Sequence, residues 1–485
     1  MSAHELGDKA RTIISSVRGD KMLLLVVILL YLFSINAVLS SSSLLFSSEL
    51  SGLGTLATQL GVIVTGSALM ILVYKVCTLK GLMKMGLIGF IISFFLLVYL
   101  TLHIKIPGVL VSQNINHSWR TLQLFGHIQI HVFEIVKVFS VMYMAWAATC
   151  YAEEKALSEE GLSEEELLED RRGFFRLRRI AIMSRLNWLR NPRAWRIAMV
   201  YLPFALVSVM VMRGSNSSLL IIGFGMFITL FIGGFDRKNL LLFILLCGLA
   251  GGGMMTLMKD ADSSRGGTFL ARIEAYFTPF EQRLEDVREG MKNGTKNRTD
   301  YNNFIDENRQ VQGAKFAIRE GRVTPFGKGP GGSTQKYKVM QIFGDFMFSF
   351  ICEEYGILGA VFVLFLFGCL IARGTRIANY CESRYARTLV AGLVLLISGQ
   401  AIIHILVNVG ILPMTGQTLP VLSDGKSAFI MFSIAFGVVL GISRLVRERI
   451  EKEEGGLEPV ISHEGNDEVQ NSLDDLDALD TNGLQ

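Results

Sequence analysis

The stretch Met22–Leu39 reads MLLLVVILLYLFSINAVL, eighteen residues without a charge. As a helix rising 1.5 Å per residue it covers most of a hydrocarbon layer about 30 Å thick. Lys9, Arg11, Arg18 and Lys21 precede it. A cleaved signal peptide has the same basic flank, and Ser40–Ser43 supplies small residues after the run. The run is long for such a leader and further apolar runs follow. It therefore reads as an uncleaved first span with its N-terminus in the cytoplasm.

Outward from this helix the pattern recurs. Spans are expected at Leu56–Tyr74, Met85–His103, Val132–Tyr151, Ala198–Met212, Ser218–Gly234, Leu240–Met258, Phe346–Ile371, Thr388–Leu412 and Ala428–Leu445. Ten spans take up about 200 residues. The 485-residue chain is 51% hydrophobic and only 19% charged, against roughly a quarter charged in soluble proteins. A soluble globular chain, a disordered chain, a coiled coil and a secreted disulfide scaffold are excluded. Cys77, Cys150, Cys247, Cys352, Cys369 and Cys381 all lie in or beside apolar runs, without metal spacing, so they read as structural thiols.

Charge sets the topology. Lys75–Lys84, Asp236–Asn239 and Arg373–Arg387 all carry Lys or Arg, and ten spans with both termini inside place each of them in the cytoplasm. The loop Lys259–Gly344, with 15 Lys+Arg against 11 Asp+Glu, then lies outside, as long loops can. The expected organisation is a cytoplasmic N-terminus (1–21), a ten-helix membrane domain (22–446) and an acidic, disordered cytoplasmic tail (447–485). The membrane domain includes a charged cytoplasmic loop (152–197) and a large extracytoplasmic loop (259–345) between helices 7 and 8. Within the first of these loops, Arg171–Arg196 holds nine arginines and no acid. It is either a solvated hairpin or a segment lying on anionic headgroups. The tail carries eleven acids and one lysine from Glu451 onward, a composition that does not build a core.

Ionisable residues inside apolar spans are costly and mark candidate sites. Glu134 and Lys137, three apart, share a helical face and form either a structural pair or part of a site. Glu353 and Glu354 are adjacent and cannot share a face, so at least one should meet a polar interior or a basic partner. Asp345, after Gly344 at the outer start of the eighth span, stays ionised at a helix N-terminus. It reads as a helix cap or as a general base. Gly327–Ser333 is glycine-rich, with Lys328, Lys336 and Lys338 nearby, and its N–H groups could cradle a pyrophosphate. His103, His127, His131 and His404 have no metal spacing and read as core or interface residues. The Asn-x-Ser/Thr sequons at Asn116, Asn216, Asn293 and Asn297 are taken as chance occurrences.

Three ordered segments carry a family resemblance. They are Gln310–Ile318 followed by Gly327–Lys336; Gly344-Asp345-Phe346-Met347-Phe348 with Glu353-Glu354-Tyr355-Gly356; and Asn408–Pro413 through Gly416-Gln417-Thr418-Leu419-Pro420. Asn116–Arg120 and the Glu134/Lys137 pair are fainter echoes. With the ten-span layout, this set resembles the SEDS (shape, elongation, division and sporulation) family of FtsW and RodA, and the loops at Gln417–Pro420 and Ser333–Lys336 favour the FtsW type. The resemblance implies an all-α polytopic inner-membrane glycosyltransferase that polymerises lipid II into peptidoglycan during cell division. It implies as partners the lipid II substrate, the growing glycan chain, a class B penicillin-binding protein and other divisome proteins, and no nucleic acid. By the same analogy Asp345 is the catalytic carboxylate. Arg272, Lys336, Gln335, Ser333, Glu134, Lys137, Arg120, Glu353, Thr418 and Ser423 become candidate substrate contacts. No cofactor motif is identifiable, and a divalent cation on the pyrophosphate is the one cofactor left open.

The sequence departs from the family pattern at Tyr337–Gly344, at Ser423-Asp424-Gly425-Lys426-Ser427 (two charges where the family has none), at Thr121, at His131-Val132-Phe133 and at Thr415. A RodA-like elongation enzyme, a lipid-linked precursor transporter using the intramembrane charges, and a non-catalytic scaffold that activates a transpeptidase are the competing readings.

Overall fold

The computed structural model describes residues 18–41, 49–103, 105–106, 110–115, 118–125, 128–160, 196–212, 214–241, 244–245, 248, 276–278, 280–339 and 342–456. Long apolar helices dominate it: α1 (Lys21–Ser41), α2 (Glu49–Val76), α3 (Leu79–Thr101), α4 (Val132–Glu160), α9 (Met347–Tyr380), α10 (Arg384–Asn408) and α11 (Lys426–Gly456). Each contains a stretch long and apolar enough to cross a membrane. Two shorter apolar helices, α5 (Leu202–Met212, entered through a π-turn at Ile197–Tyr201) and α6 (Asn216–Ile232), add two expected spans. Most of the seventh expected span lies outside the described residues. The chain is a polytopic, predominantly helical membrane protein.

The core sits around α4. Of its Val132–Ala152 span 83% is buried, against 17% of Ala57–Val76 in α2, and α3, α6 and α10 all pack on it. Between helices in lipid, association comes from close packing rather than from hydrophobic burial. The α2–α11 seam shows this: a Cβ at Gly66 would sit 2.7 Å from Ser433 Oγ, and one at Gly437 2.6 Å from the Met70 carbonyl oxygen. The Tyr31 hydroxyl, buried between α1 and α11, donates to Ser433 Oγ at 2.5 Å.

Three departures from the expected layout have local causes. Residues 105–131, unassigned between spans three and four, form a four-stranded antiparallel sheet, β1 (Lys105–Ile106), β2 (Leu110–Ile115), β3 (Ser118–Leu124) and β4 (Ile128–His131), in sequential order. β1 and β4 have only two and four residues, and β2 (LVSQNI) lacks the apolar/polar alternation that marks a strand. The loop from 259 contains two helices, α7 (Phe280–Lys292) and α8 (Arg298–Glu320), the latter opened by a reciprocal capping box between Asn297 and Asp300. The helix α11 runs to Gly456, ten residues into the region expected to be disordered, supported by Arg444–Glu448, Arg447–Glu451 and Arg449–Glu453 pairs at i,i+4. Such pairs each add a few tenths of a kcal/mol to a helix.

Helix α9 positions the site. Its 34 residues make a rod about 50 Å long, broken near one end at Gly356, where φ is +63°. The carbonyl groups of Glu353 and Glu354 accept N–H bonds from Lys328 (2.9 Å) and Gly329 (2.8 Å) of the preceding loop. In return the Pro325 carbonyl accepts from the Leu358 N–H at 3.2 Å. The loop backbone thus satisfies groups that the break exposes, which a membrane helix cannot leave unpaired.

Candidate functional site

Asp345 lies in a turn immediately before α9, half-buried. Three successive backbone carbonyls of that turn are bonded from other elements. Phe343 accepts from the Asp424 N–H at 3.0 Å, Gly344 from Ser423 Oγ at 2.9 Å, and Asp345 from Asn408 Nδ2 at 3.1 Å. Asn408 is itself fixed, accepting from the Ser349 N–H (3.0 Å) and hydroxyl (2.8 Å). The backbone of Asp345 is therefore clamped between α9, the end of α10 and the loop before α11. Its carboxylate lies beside that loop: a β-carbon on Gly416 would be 3.5 Å from Asp345 Oδ2.

The next residue in the loop begins a second polar cluster. Lys137, fully buried on α4, donates to Glu134 Oε1 at 2.7 Å, Gln400 Oε1 at 2.9 Å and Gln417 Oε1 at 2.9 Å. Gln400 passes its amide on to the Thr418 carbonyl at 2.9 Å, and Gln417 donates to Ser218 Oγ at 3.2 Å. His404 Nδ1 lies 2.7 Å from the Gln417 carbonyl oxygen, and the Phe348 N–H approaches Nε2 at 3.4 Å. With Nδ1 protonated, this neutral ring joins the 417 loop to the first turn of α9. Three ammonium donors meeting three acceptors satisfy the cation without water, as burial requires. Adjacent residues 416 and 417 thus lie against the carboxylate and the cation respectively.

A third cluster holds the glycine-rich loop. Glu353, completely buried, accepts from Lys328 Nζ (2.7 Å), the Thr334 N–H (2.8 Å) and hydroxyl (3.1 Å), the Gln335 N–H (3.3 Å) and Ser333 Oγ (2.5 Å). Glu354 accepts from Ser40 Oγ at 2.5 Å and the Ser333 N–H at 3.3 Å. Lys328 also pairs with Glu320, whose carboxyl this hydrogen bond holds below the usual glutamate range. For Lys328, burial acts to lower the ammonium pKa, but the bonds to Glu320 and Glu353 outweigh it and the net shift is upward. Beside the Asp345 turn, burial pushes the Asp424 carboxyl up, with Lys426 opposing.

A family model described as cell cycle protein, covering FtsW, RodA and SpoVE, matches residues 20–448. The chain belongs to this FtsW/RodA/SpoVE family. Over 378 residues it is 28% identical to the probable peptidoglycan glycosyltransferase FtsW of Methylomonas methanica (strain DSM 25384 / MC09), covering 76% of this chain and 78% of that protein. Over 139 residues, 28% of this chain, it is 36% identical to the protein of the same name in Bacillus subtilis (strain 168), covering 34% of that protein. The Stage V sporulation protein E of that organism is 37% identical over 139 residues, covering 28% of this chain and 37% of that protein. These two alignments span about a third of the length of the curated relatives.

Two solved structures share the fold across 88% of the chain. One is a chain from a peptidoglycan synthase complex described as coordinating polymerization and crosslinking (TM-score 0.58, 19% identity, 98% of that chain covered). The other is the rod shape determining protein RodA of Thermus thermophilus (TM-score 0.52, 18% identity, 97% covered).

Within this FtsW/RodA/SpoVE fold the candidate residues separate into groups. Asp345 and Ser423 come together with the loop carrying Thr418, whose hydroxyl is buried without a hydrogen-bond partner among the described residues. Glu134 and Lys137 join that loop from α4. Ser333, Gln335, Lys336 and Glu353 form the separate loop-to-α9 cluster. There the Lys336 ammonium meets the Gly331 carbonyl at 2.9 Å and the Ser40 carbonyl at 3.5 Å, and Gln335 donates to Glu320 at 3.2 Å. Arg120 lies in β3, and Arg272 lies outside the described residues.

The pyrophosphate cradle expected at Gly327–Ser333 is altered by these contacts. The N–H groups of residues 328, 329 and 331–333 face Glu353, Glu354, Ser40 and Gly329 instead. Gln400 gives no motif signal, being an amide in an apolar run, and His404, expected as a core or interface histidine, is buried. No group of three or more His, Cys, Asp or Glu able to hold a metal ion occurs among the described residues.

Proposed function

We propose that this protein polymerises lipid II into peptidoglycan strands with Asp345 as general base, working in cell division. The acceptor 4-hydroxyl gives its proton to the Asp345 carboxylate as its oxygen attacks C1 of the lipid-linked donor. The C1–O bond to the pyrophosphate breaks, the α-linkage inverts to β-1,4, and undecaprenyl pyrophosphate leaves. The observation that carries this reading is the Asp345 turn, half-buried and clamped through three backbone carbonyls, with its carboxylate beside Gly416. A base fixed in this way acts without reorganising, and general-base catalysis typically contributes about 10²–10⁴-fold.

The ammonium groups of Lys137 and Lys336 already meet protein acceptors, so Arg272 is assigned the leaving pyrophosphate. The protein spans the inner membrane with both termini cytoplasmic, Asp345 faces outward, and a class B penicillin-binding protein crosslinks the product beside it. The names of the relatives, and the fold shared with a chain of a complex described as coordinating polymerization and crosslinking, support the polymerase reading and its pairing with a crosslinking partner. No protein cage is assigned to a divalent cation.

The test is polymerisation of labelled lipid II by the purified protein with its transpeptidase partner. Wild type should give glycan ladders and Asp345→Ala should lose at least about a hundredfold in rate. Equal ladders from a correctly inserted Asp345→Ala protein would discard Asp345 as the base. Ladders from neither, together with headgroup translocation in vesicles, would favour the transporter reading.

A further inference from the structure

At the end of the bundle opposite Asp345, the start of α1, the second half of α9 and the end of α11 enclose an open cavity of about 590 Å³. Its polar lining holds four cations, Lys21, Arg373, Arg376 and Arg447, against two acids, Asp20 and Glu451. Both acids are engaged. Asp20 takes three hydrogen bonds from Arg373, accepts from the Leu23 N–H at 2.8 Å as the cap of α1, and is further held by Ser443. Glu451 pairs with Arg447 at 2.9 Å, one turn away on the exposed face of α11. The Lys21 and Arg376 side chains are exposed and have no ion pair or hydrogen bond among the described residues.

We propose that this cavity binds the phosphate headgroup of an anionic phospholipid. Lys21 and Arg376 hold the phosphate, and Arg447 is available to turn to it because an exposed i,i+4 pair is weak. The lipid source follows from the surface next to the cavity. Met22, Leu25 and Leu32 fall at i, i+3 and i+10 on one face of α1 and are 54%, 38% and 57% exposed. This stripe starts at the cavity wall, since Met22 lines it, and runs along the helix toward the middle of the membrane. A free phosphate has no use for it, whereas acyl chains lie along it once the headgroup is seated. Basic pockets between helix ends at a membrane surface select anionic headgroups through the same charge surplus. The site is remote from Asp345 and independent of the glycosyltransferase reading, as an occupied lipid would brace α1, α9 and α11 together.

Native mass spectrometry of the full-length protein in detergent tests the proposal, with phosphatidylglycerol and phosphatidylcholine of identical acyl chains as probes. Wild type is expected to retain the first phosphatidylglycerol at least fivefold better than phosphatidylcholine. The double variant Lys21→Gln/Arg376→Gln is expected to lose that preference. A charge-matched double variant away from the cavity, Lys84→Gln/Arg237→Gln, is expected to keep it. Both variants change exposed side chains, so unfolding temperatures in phosphatidylcholine should match wild type. Equal retention of the two lipids by wild type, unchanged selectivity in the cavity variant, or equal loss in the control overturns the proposal. Displacement of phosphatidylglycerol by a few millimolar inorganic phosphate would also overturn it, marking the cavity as a free-anion site.

Discussion

Lys328 grips Glu353 twice: its backbone N–H donates to the Glu353 carbonyl at 2.9 Å, and its ammonium to the carboxylate at 2.7 Å. The first bond repairs the helix break at Gly356 and the second neutralises a fully buried acid. Together they fasten the glycine-rich loop to the helix whose first turn follows Asp345.

Glu353→Gln keeps the shape and removes the charge that gathers the loop. Hydrogen bonds to charged groups contribute about 1.5–3 kcal/mol each. Amide exchange at Thr334 and Gln335 in the full-length protein should accelerate by roughly tenfold or more if that scale applies. Unchanged protection at these amides would contradict the latch.

Two glycines with positive φ should respond differently to alanine. At Gly356 (φ +63°) a methyl group collides with the backbone of Gly327 and Pro325. At Gly416 (φ +62°) it reaches only ordinary contact, 3.5 Å from Asp345 Oδ2. Gly416→Ala should cost about 1–2 kcal/mol, the left-handed penalty alone. Gly356→Ala should cost clearly more and lower the unfolding temperature in detergent further. Equal shifts would mean that the loop does not press on the break.

Removing the Lys137 ammonium leaves Glu134, Gln400 and Gln417 facing one another. Lys137→Met should destabilise by about 3–5 kcal/mol, the usual cost of breaking a buried pair from one side. Adding Glu134→Gln should recover part of that loss. A double-mutant cycle on thermal unfolding measures the coupling, and strict additivity of the two changes would refute the pair.

Two carboxyls outside the spans should respond to pH with opposite signs. Glu320 is held low in the fold by Lys328, so its stabilisation is present above its unfolded value, about 4.3. That stabilisation is lost as pH falls through the lower folded value. Asp424 is pushed up by burial, so its penalty is absent below its unfolded value, about 3.9, and complete above the raised folded value. Asp424→Asn should therefore raise the unfolding temperature at neutral pH, with the gain vanishing toward pH 3.9. Glu320→Gln should lower it at neutral pH, with the loss vanishing in acid. Melting curves from pH 3 to 8 read both.

The expected spans and the described helices agree because about twenty uncharged residues have few other places to lie, and local composition encodes that constraint. Helix ends moved where side-chain pairing rather than apolarity sets the limit, as at Arg444–Glu453 in α11. The expectation that Glu353 or Glu354 would find a basic partner was sound because a buried charge demands one. That the partner is Lys328, 25 residues earlier, could not be read from spacing.

Many apolar spans, the ordered motifs of the family and the place of Asp345 at the head of a helix are all legible in the amino-acid order alone. It takes the packed bundle to show that residues 416 and 417 lie against Asp345 and Lys137, that Gln400 belongs to the cation, and that the glycine-rich loop seals a broken helix. Apolar runs and helix starts are properties of neighbouring residues, so one chain segment specifies them. Hydrogen-bond partners are chosen across the bundle, where a buried donor takes whichever acceptor packing brings within about 3 Å.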